Sequence, residues 1–340
     1  MSLNTSLTEL SKKISILLNE SRQRVIQTVN HTMVLTYFEI GKMIVEEEQN
    51  GKERADYGSQ LLSGLSGSLT QEFGKGFSIT NLQQMRQFYI VYSKQQTLSV
   101  NSEKDLIQSL DFKISWSHYL KLMRIEDELE RKFYEIETYK NNWSLRELNR
   151  QYDSALYTRI SLSKDKNEIL KLSEQGQIIE KPQDAVKDPY VLEFIGLPEQ
   201  NTYSESDLEH RLINKLEHFL LELGKGFTFV ARQNRITFDD KHFRIDLVFY
   251  NRILRCFVLI DLKVGELKHQ DIGQMQMYVN YYDRKIKLED ESKSIGIILC
   301  QNKSEALVEF TLPENNTQIF ASKYLTVLPS KESLRKLIED

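Results

Sequence analysis

The chain contains 340 residues, of which 28% are charged and 40% hydrophobic, with only 5 prolines. This composition is typical of a folded protein of about two domains and excludes a disordered or collagen-like chain. No stretch approaches the roughly 18 to 20 apolar residues that a membrane span needs, and Met1-Ser2-Leu3-Asn4 does not open a signal sequence. We therefore expect a cytoplasmic protein with no membrane partner.

The formal net charge is −4, from 45 Lys and Arg against 49 Asp and Glu. Proteins that bind nucleic acid through bulk charge usually carry a basic excess, so any phosphate contact here would depend on a local basic patch. The two cysteines, Cys256 and Cys300, lie in runs rich in β-branched residues and have no CxxC partner. They are predicted to be buried free thiols, and no zinc site is expected.

The N-terminal half is predicted to be all α-helical, because its apolar residues recur every three or four positions. Asn50-Gly51 is expected to end the first helix, and the break at Phe73-Gly74-Lys75-Gly76 precedes a capping box of Thr80 and Gln83. We assign 1–182 to this helical domain. Its predicted helices or apolar helix faces lie at 14–44, 61–69, 81–92, 116–123, 129–139 and 144–157.

A connection between two domains is predicted at 183–206. No proline precedes Pro182, and Pro189 and Pro198 then follow closely, together with Gly196. Proline and glycine interrupt regular structure and are frequent where few contacts cross between domains.

The C-terminal domain, 207–340, has the pattern of short strands and amphipathic helices. Three consecutive strands imply an antiparallel meander, and a helix crossing to the next strand implies a mixed sheet with helices on both faces. The predicted fold class is α+β, with an all-α N-terminal domain and an αβββαβ C-terminal core. The predicted elements are a helix at 207–223, strands at 227–238, 243–250 and 255–264, a helix at 270–282, a strand at 295–300, a short helix at 305–310, a strand at 318–320 and a terminal helix.

Two aspartates and one lysine interrupt otherwise apolar strands of this core. If the hairpin turn is centred near Ile253-Leu254, Asp246 lies across from Asp261. Lys263 then emerges on the same face, because side chains in a strand repeat every two residues. Opposed carboxylates favour either a shared proton or a divalent cation.

Oxygen ligands of this kind suit Mg²⁺ or Mn²⁺. The carbonyl of Leu262 could supply another ligand, and Lys263 would position or help to deprotonate a water that attacks phosphorus. The alternative interpretation is an internal Asp–Lys salt bridge without a catalytic role, since buried ion pairs also occur without function.

The next predicted helix carries Gln274 and Tyr278, which are four residues apart and project from one face. Their amide and phenol groups could hold a nucleic-acid backbone or base beside the phosphate. An ordinary polar helix face with Tyr278 half buried is the alternative.

The combination of Asp246, Asp261-Leu262-Lys263 and Gln274-Met-Gln-Met-Tyr278 resembles the PD-(D/E)xK nuclease superfamily. It includes the Gln-x-x-x-Tyr element of some branches. By this resemblance the core is restriction-endonuclease-like, Asp246 and Asp261 hold the metal, and Lys263 serves the water. The second acid of the motif is often Glu, and the shorter Asp261 shifts the metal slightly. Most of the chain is similar to the YhcG-type subfamily, through segments at 51–55, 73–77, 116–119, 219–227, 249–256 and 299–300.

Members of the superfamily often add a carboxylate from the first helix of the core. Glu209 and Glu217 are the candidates, and the resemblance favours Glu209. Arg232 and Gln233, in the first strand, could contact phosphate, although an exposed strand pair is an equal alternative.

The helical half offers a further hypothesis, because the break at 73–77 has the length of a helix-turn-helix connection. The following helix is predicted to expose Asn, Gln and Arg side chains, which can make bidentate contacts with adenine and guanine edges. A solvated face, or one packed against another subunit, is the alternative, and the family resemblance favours DNA. The predicted nucleic-acid contacts of this helix are Thr80, Asn81, Gln84 and Arg86.

These features predict a DNA-binding helical module joined to a Mg²⁺- or Mn²⁺-dependent phosphodiesterase domain. By resemblance the substrate is DNA, in restriction, defence or recombination. The alternatives are a non-catalytic DNA-binding protein that keeps a nuclease fold, and a transcription regulator that acts through the helical half. The oligomeric state stays open, with a homo-oligomer as one alternative.

Overall fold

A computed structural model describes residues 3–50, 55–93, 111–161, 166–198, 203–238 and 241–328. The chain divides into two compact units, Met1–Asn149 and Arg150–Asp340. No helix in the described ranges is both long enough and apolar enough to cross a membrane.

The first unit is all α-helical in its described residues, as predicted. Its core forms where the first and third helices cross, and Val34, Phe38, Phe88 and Met85 are fully buried there. Gly41 permits this crossing, because a Cβ at that position would lie 2.1 Å from the carbonyl oxygen of Met85. The described helices that begin before the unit boundary are α1 (Leu3–Asn50), α2 (Ala55–Phe73), α3 (Ile79–Ser93), α4 (Trp116–Leu122), α5 (Glu128–Asn141) and α6 (Leu145–Asp153).

Two helix starts illustrate how local hydrogen bonds set the boundaries. Ser144 accepts a hydrogen bond from the amide of Glu147 at 3.2 Å, as its sequence position predicts. The α3 start differs from the predicted Thr80 capping box, because Ser78 is the residue that accepts from the Asn81 amide, at 3.3 Å. Phe73-Gly74-Lys75-Gly76 is the turn before it, and Gly74 and Gly76 both adopt positive φ.

The second unit is built on one six-stranded sheet in the order β1-β6-β5-β4-β3-β2. Strands β2, β3 and β4 are antiparallel neighbours, whereas β4, β5, β6 and β1 run parallel. The predicted meander and mixed sheet are therefore confirmed. The strands are β1 (Tyr190–Val191), β2 (Phe227–Phe238), β3 (Lys241–Asn251), β4 (Cys256–Leu262), β5 (Ile295–Cys300) and β6 (Ile319–Leu325).

Helices pack on both faces of this sheet, as the sequence predicts. Alternate residues of β4 separate into two cores: Ile260 packs with Leu212 and Phe219 on one face, and Leu259 packs with Met275 on the other. The helices of the second unit are α7 (Leu156–Ser161), α8 (Lys166–Gln175), α9 (Glu205–Asn214), α10 (Leu216–Leu223), α11 (His269–Tyr281) and α12 (Glu305–Thr311).

Close contact between α11 and the sheet requires Gly296 in β5. A Cβ there would lie 2.5 Å from the Met275 side chain, so the helix could not approach as closely. Cys256 and Cys300 are buried free cysteines, as predicted.

The structure corrects the predicted domain connection. The boundary between the two units follows Asn149, and most of the segment predicted as a linker packs into the second unit. Tyr190–Val191 forms β1, pairs with β6, and is followed by the buried Ile195 and Leu197. The prolines interrupt helix in this segment, but its apolar residues still bury against the sheet.

Two smaller differences concern helices. The helix predicted at 207–223 is divided at Lys215 into α9 and α10, because the backbone of Lys215 leaves helical geometry. The predicted terminal helix lies outside the described residues.

Candidate active site

The two predicted aspartates lie at the end of the β3–β4 hairpin. Asn251 pairs with Cys256 and the register continues to Leu247 opposite Ile260. The next step of this register places Asp246 opposite Asp261. The turn prediction at Ile253-Leu254 is confirmed, and the side-chain period of two brings the carboxyl groups to one face.

Beyond the last backbone pair of β3 and β4, the side chain of Asp246 bonds to the β4 backbone. Its Oδ2 accepts a hydrogen bond from the amide of Leu262 at 2.8 Å. The Leu262 amide therefore holds the Asp246 carboxyl beside the β4 chain that carries Asp261.

Lys263 approaches the same point. Its Nζ lies 2.8 Å from Oδ2 of Asp261 and 3.9 Å from Oε2 of Glu205. Burial alone would lower the pKa of Lys263, but the facing carboxylates raise it above its usual value. The side chain therefore carries an ammonium group that can donate hydrogen bonds.

Asp261 is the most deeply buried member of the cluster, with 2% of its surface exposed. Burial, and then the neighbouring Asp246 charge, raise the pKa of Asp261 to about 7, even though Lys263 opposes this shift. Despite the ion pair, the buried Oδ2 accepts no well-aligned hydrogen bond from a described residue. An ionised carboxylate in this position has unmet capacity for a cation.

Gln233 joins this row from the neighbouring strand. A bulge between Phe229 and Ala231 shifts the β2–β3 register by one residue, so that Gln233 falls opposite Asp246. Gln233 also adopts a left-handed backbone conformation, with φ of 46°. Strand irregularities of this kind often re-aim a side chain next to a functional site.

The Gln233 amide links two carboxylates. Its Nε2 donates to Oε2 of Glu209 at 2.7 Å and to Oδ1 of Asp246 at 3.0 Å. Sequence reasoning anticipated Gln233 as a phosphate contact, whereas the structure uses its amide nitrogen to join Glu209 to the aspartates. Glu209 belongs to α9, is 7% exposed, and has its pKa raised by burial.

Glu205 is a member of the site that the sequence analysis did not single out. It is the first residue of α9, and its Oε1 accepts a hydrogen bond from the amide of Val264 at 3.4 Å. The signal in the sequence was an acid four residues before Glu209, on the same helical face. Asp207, between them, instead forms the helix cap with Ser204.

The predicted Gln-x-x-x-Tyr pair lies beside the site, but its hydrogen bonds are made within the protein core. The Gln274 amide donates to the hydroxyl of Tyr278, and that hydroxyl donates to the carbonyl of Arg244 at 2.8 Å. Tyr278 is fully buried. Through the Tyr278 hydroxyl, the pair therefore holds the β3 backbone in place two residues before Asp246.

The donor set fits a hard divalent cation. Mg²⁺ is usually held by one or two carboxylates and several waters, and Asp246 and Asp261 with the Leu262 carbonyl match that requirement. In the described part of the chain, no cluster of three or more His, Cys, Asp or Glu side chains is arranged to hold an ion. The side-chain amide of Gln233 lies between Glu209 and Asp246, because it donates a hydrogen bond to each of the two carboxylates.

The predicted DNA-contacting residues of α3 are not all available. Asn81 donates to the carbonyl of Gly76 and accepts from the Trp116 indole at 3.3 Å, so that reading a base would require breaking these bonds. Arg86 donates to Glu48 at 2.6 Å. Thr80 is exposed and Gln84 half buried.

These two polar side chains line an open cavity of about 750 Å³ within the first unit. The cavity wall also includes Gln83, Gln87, Arg124 and the Arg86–Glu48 pair. The described wall is amide-rich, and of the two arginines in it, Arg86 is already paired with Glu48.

Comparison with known proteins gives two family matches. Residues 183–339 match the family model described as the YhcG PDDEXK nuclease domain, and residues 13–159 match the DUF1016 N-terminal domain. The fold and site thus define a two-domain protein of the PDDEXK nuclease class.

The relationship extends through most of the chain. "Putative nuclease YhcG" of Escherichia coli (strain K12) is 39% identical over 338 residues, covering 94% of this chain and 90% of that protein. The chain therefore belongs to the YhcG family of PDDEXK nucleases.

More distant similarity exists to solved structures. A repair endonuclease from Pyrococcus abyssi is 17% identical, with a TM-score of 0.26, over 39% of this chain and 50% of that one. The EndoMS-dsDNA2 complex is 16% identical, with a TM-score of 0.27, over 39% and 49% of the two chains. The match thus spans about half the length of each of these proteins.

Proposed function

We propose that this protein is a metal-dependent nuclease that hydrolyses phosphodiester bonds in DNA. The observation that carries the proposal is the charge imbalance at the β3–β4 end. Among the described residues, the four acids Glu205, Glu209, Asp246 and Asp261 outnumber the neighbouring cations Lys263 and Arg232. Oδ2 of Asp261, although 2.8 Å from Lys263, accepts no well-aligned hydrogen bond from them. A divalent cation would neutralise this surplus of acid and complete the bonding of Asp261.

The residues have separate tasks in this proposal. Asp246 and Asp261, with the Leu262 carbonyl, would hold Mg²⁺ or Mn²⁺. The ion would supply positive charge against the scissile phosphate when bound. Lys263 would donate a hydrogen bond that orients the attacking water or the phosphate oxygen.

Glu209 and Gln233 would position this machinery rather than contact the ion directly. Because Gln233 donates to both carboxylates, it fixes the distance between α9 and β3 at the site. Arg232 is exposed on β2, close enough for its charge to lower the pKa of Glu209. It is the side chain of that strand that we assign to a phosphate contact.

DNA is the proposed substrate because the site belongs to a nuclease family and because α3 presents a polar cavity in the other unit. Thr80 and Gln84 remain the proposed α3 contacts, together with the neighbouring Gln83 and Gln87. Asn81 and Arg86 are better explained as structural side chains, since both are bonded within the helical unit.

The test is cleavage by the full-length protein of duplex, single-stranded and branched DNA, with Mg²⁺, with Mn²⁺ and with EDTA. We expect metal-dependent cleavage that is lost in both Asp261→Ala and Lys263→Ala. Asp290→Asn is a suitable control, because Asp290 is an exposed acid paired with Arg255 in a turn remote from the sheet end.

Retention of cleavage by Asp261→Ala would overturn the proposed site. Binding of DNA without cleavage under any metal condition would favour the alternative, a non-catalytic DNA-binding protein with a nuclease fold. The ion pair between Lys263 and Asp261 supports this alternative, because Lys263 would then neutralise Asp261 without a metal ion.

A further inference from the structure

The N-terminal part of α1 carries an unusual apolar surface. Every residue from 9 to 29 whose side chain the structure describes is exposed, although eight of them are large aliphatic residues. Their exposed fractions run from 48% to 63%. Six of the eight lie on one side of the helix: Leu10, Ile14, Leu17, Leu18, Val25 and Val29.

These six side chains form one continuous surface, here called the α1 stripe. At about 100° of rotation per residue, they fall within an arc of about 120° on the helix. Ile16, at 51%, and Ile26, at 59%, are equally exposed but lie outside this arc, and Ile16 is on the opposite side. A long single helix gains little stability from propensity alone, so a stripe of this width is expected to pack against a partner.

The charges beside the stripe indicate what that partner is. Glu9, Lys13, Glu20 and Arg24 lie along one flank, within an arc of about 60°. Their signs alternate as acid, base, acid, base. In a reversed copy of the same helix, Glu9 would face Arg24 and Lys13 would face Glu20, so each acid meets a base.

Both charge pairs share one centre, between Ile16 and Leu17. Reversal about that centre also brings Leu10 within two positions of Val25, Ile14 within one position of Leu18, and Leu17 within one position of its own copy, which are offsets of about 3 Å or less along the helix axis. A parallel pair would instead place this charged flank against the other flank, where Arg22 is the charged residue beside the stripe. The alternating signs would then have no matching partner.

We propose that residues 9–29 form an antiparallel coiled coil with the same segment of a second copy of this chain. The contact is isologous, with its two-fold axis near Leu17. The proposal is independent of the nuclease activity, because it uses no residue of the sheet site.

The first experiment measures the mass of the full-length protein by light scattering and by sedimentation across a range of concentrations. We expect twice the 40.0 kDa chain mass for the wild type. Leu17→Asp is expected to raise the dissociation constant at least tenfold, whereas Ile16→Asp, an equally exposed residue on the other face, leaves it unchanged. A monomeric wild type, or equal effects of the two substitutions, would overturn the proposal.

The second experiment tests the direction of pairing with surface charges, which leave the apolar stripe intact. Lys13→Glu places like charges opposite each other and is expected to weaken the dimer several-fold. Adding Glu20→Lys restores both pairs and should return the dissociation constant to that of the wild type. A double variant as weak as the single one contradicts an antiparallel arrangement.

Cysteine cross-linking gives a geometric check with the same protein. Leu17→Cys should form a disulfide-linked dimer, while Leu10→Cys and Val25→Cys should do so only when the two variants are mixed. Both native cysteines are buried and give little background. Efficient cross-linking of Leu10→Cys with itself would indicate a parallel pair and overturn the proposed orientation.

Discussion

Two buried carboxylates in the second unit have opposite electrostatic environments. Glu222, at 0% exposed, accepts hydrogen bonds from Arg159 at 2.5 Å, from the Val191 amide at 3.0 Å and from Arg150 at 3.3 Å. Asp261, at 2% exposed, has one ammonium group beside it and another aspartate opposite.

The pKa directions follow these environments. Burial opposes ionisation of both groups, but Arg159, Lys187 and Arg150 together lower the pKa of Glu222 to about 2. Burial and Asp246 raise the pKa of Asp261 to about 7. Depth of burial therefore does not distinguish a structural acid from a candidate metal ligand. The balance of positive partners does, because Glu222 is fully neutralised by the fold and Asp261 is not.

The largest expected difference is in stability. Glu222→Gln leaves buried arginines without their anion and should lower the free energy of unfolding by about 3–5 kcal/mol. Asp261→Asn removes a carboxyl group that the site neutralises poorly and should lower it by less than about 1 kcal/mol while abolishing cleavage. Urea unfolding at pH 7 measures both variants, and similar losses would contradict the comparison.

The acid side of the stability profile gives a second measurement. The pKa of Glu222 is depressed in the folded state from 4.5 to about 2. Its stabilisation is therefore fully present above about pH 4.5 and is lost as pH falls toward 2, amounting to about 3 kcal/mol. Unfolding free energies of wild type and Glu222→Gln should converge across that window. A constant difference down to pH 2 would show that the depressed pKa is not the cause.

Metal binding should stabilise the protein through Asp261 and not through Glu222. An ion that binds the folded state stabilises it by about 2.7 kcal/mol at 100 times its dissociation constant. We expect Mg²⁺ or Mn²⁺ to raise the melting temperature of the wild type and of Asp290→Asn, but not that of Asp261→Asn. An equal rise in all three proteins would indicate binding elsewhere.

The bridging amide of Gln233 can be tested with a variant and a matched control elsewhere in the second unit. Gln233→Ala removes the donor shared by Glu209 and Asp246 and should reduce cleavage about 10- to 100-fold, as for other residues that orient metal ligands. Gln318→Ala also removes an amide that bonds twice, to Asp283 at 2.8 Å and to the Ser294 carbonyl at 3.0 Å. Since Gln318 lies just before β6, at the opposite end of the parallel strands, its loss should not reduce cleavage beyond any loss of stability.

The smallest expected effect is that of Tyr278→Phe. It removes the hydrogen bond to the Arg244 carbonyl and should cost about 1 kcal/mol of stability. Cleavage should fall modestly, because the β3 backbone before Asp246 is held less firmly. A complete loss of cleavage with normal stability would instead indicate direct contact between the Tyr278 hydroxyl and substrate.

Much of the catalytic sheet follows from local rules. The turn around Ile253-Leu254 and the period of two suffice to place Asp246 opposite Asp261, and the structure keeps that register. The change from helical to strand periodicity similarly identified the αβββαβ order. These features depend on residues close together in sequence, where register and turn geometry leave few alternatives.

Long-range packing decided the features that sequence reasoning missed. The bulge in β2 that brings Gln233 opposite Asp246 has no local signature, and Glu205 reaches Lys263 only because α9 packs over the sheet end. In the helical unit, Asn81 and Arg86 have the side chains of base-reading residues, but their partners Trp116 and Glu48 lie 35 and 38 positions away in the chain.

The amino-acid sequence by itself determined the αβββαβ order of the catalytic core, the pairing of the two aspartates and the apolar stripe of α1, because each depends on spacing along neighbouring elements. Only the tertiary structure decided which buried acids are neutralised. Electrostatic neutralisation requires side chains from distant segments to meet within a few ångströms, and neither residue type nor spacing specifies that meeting.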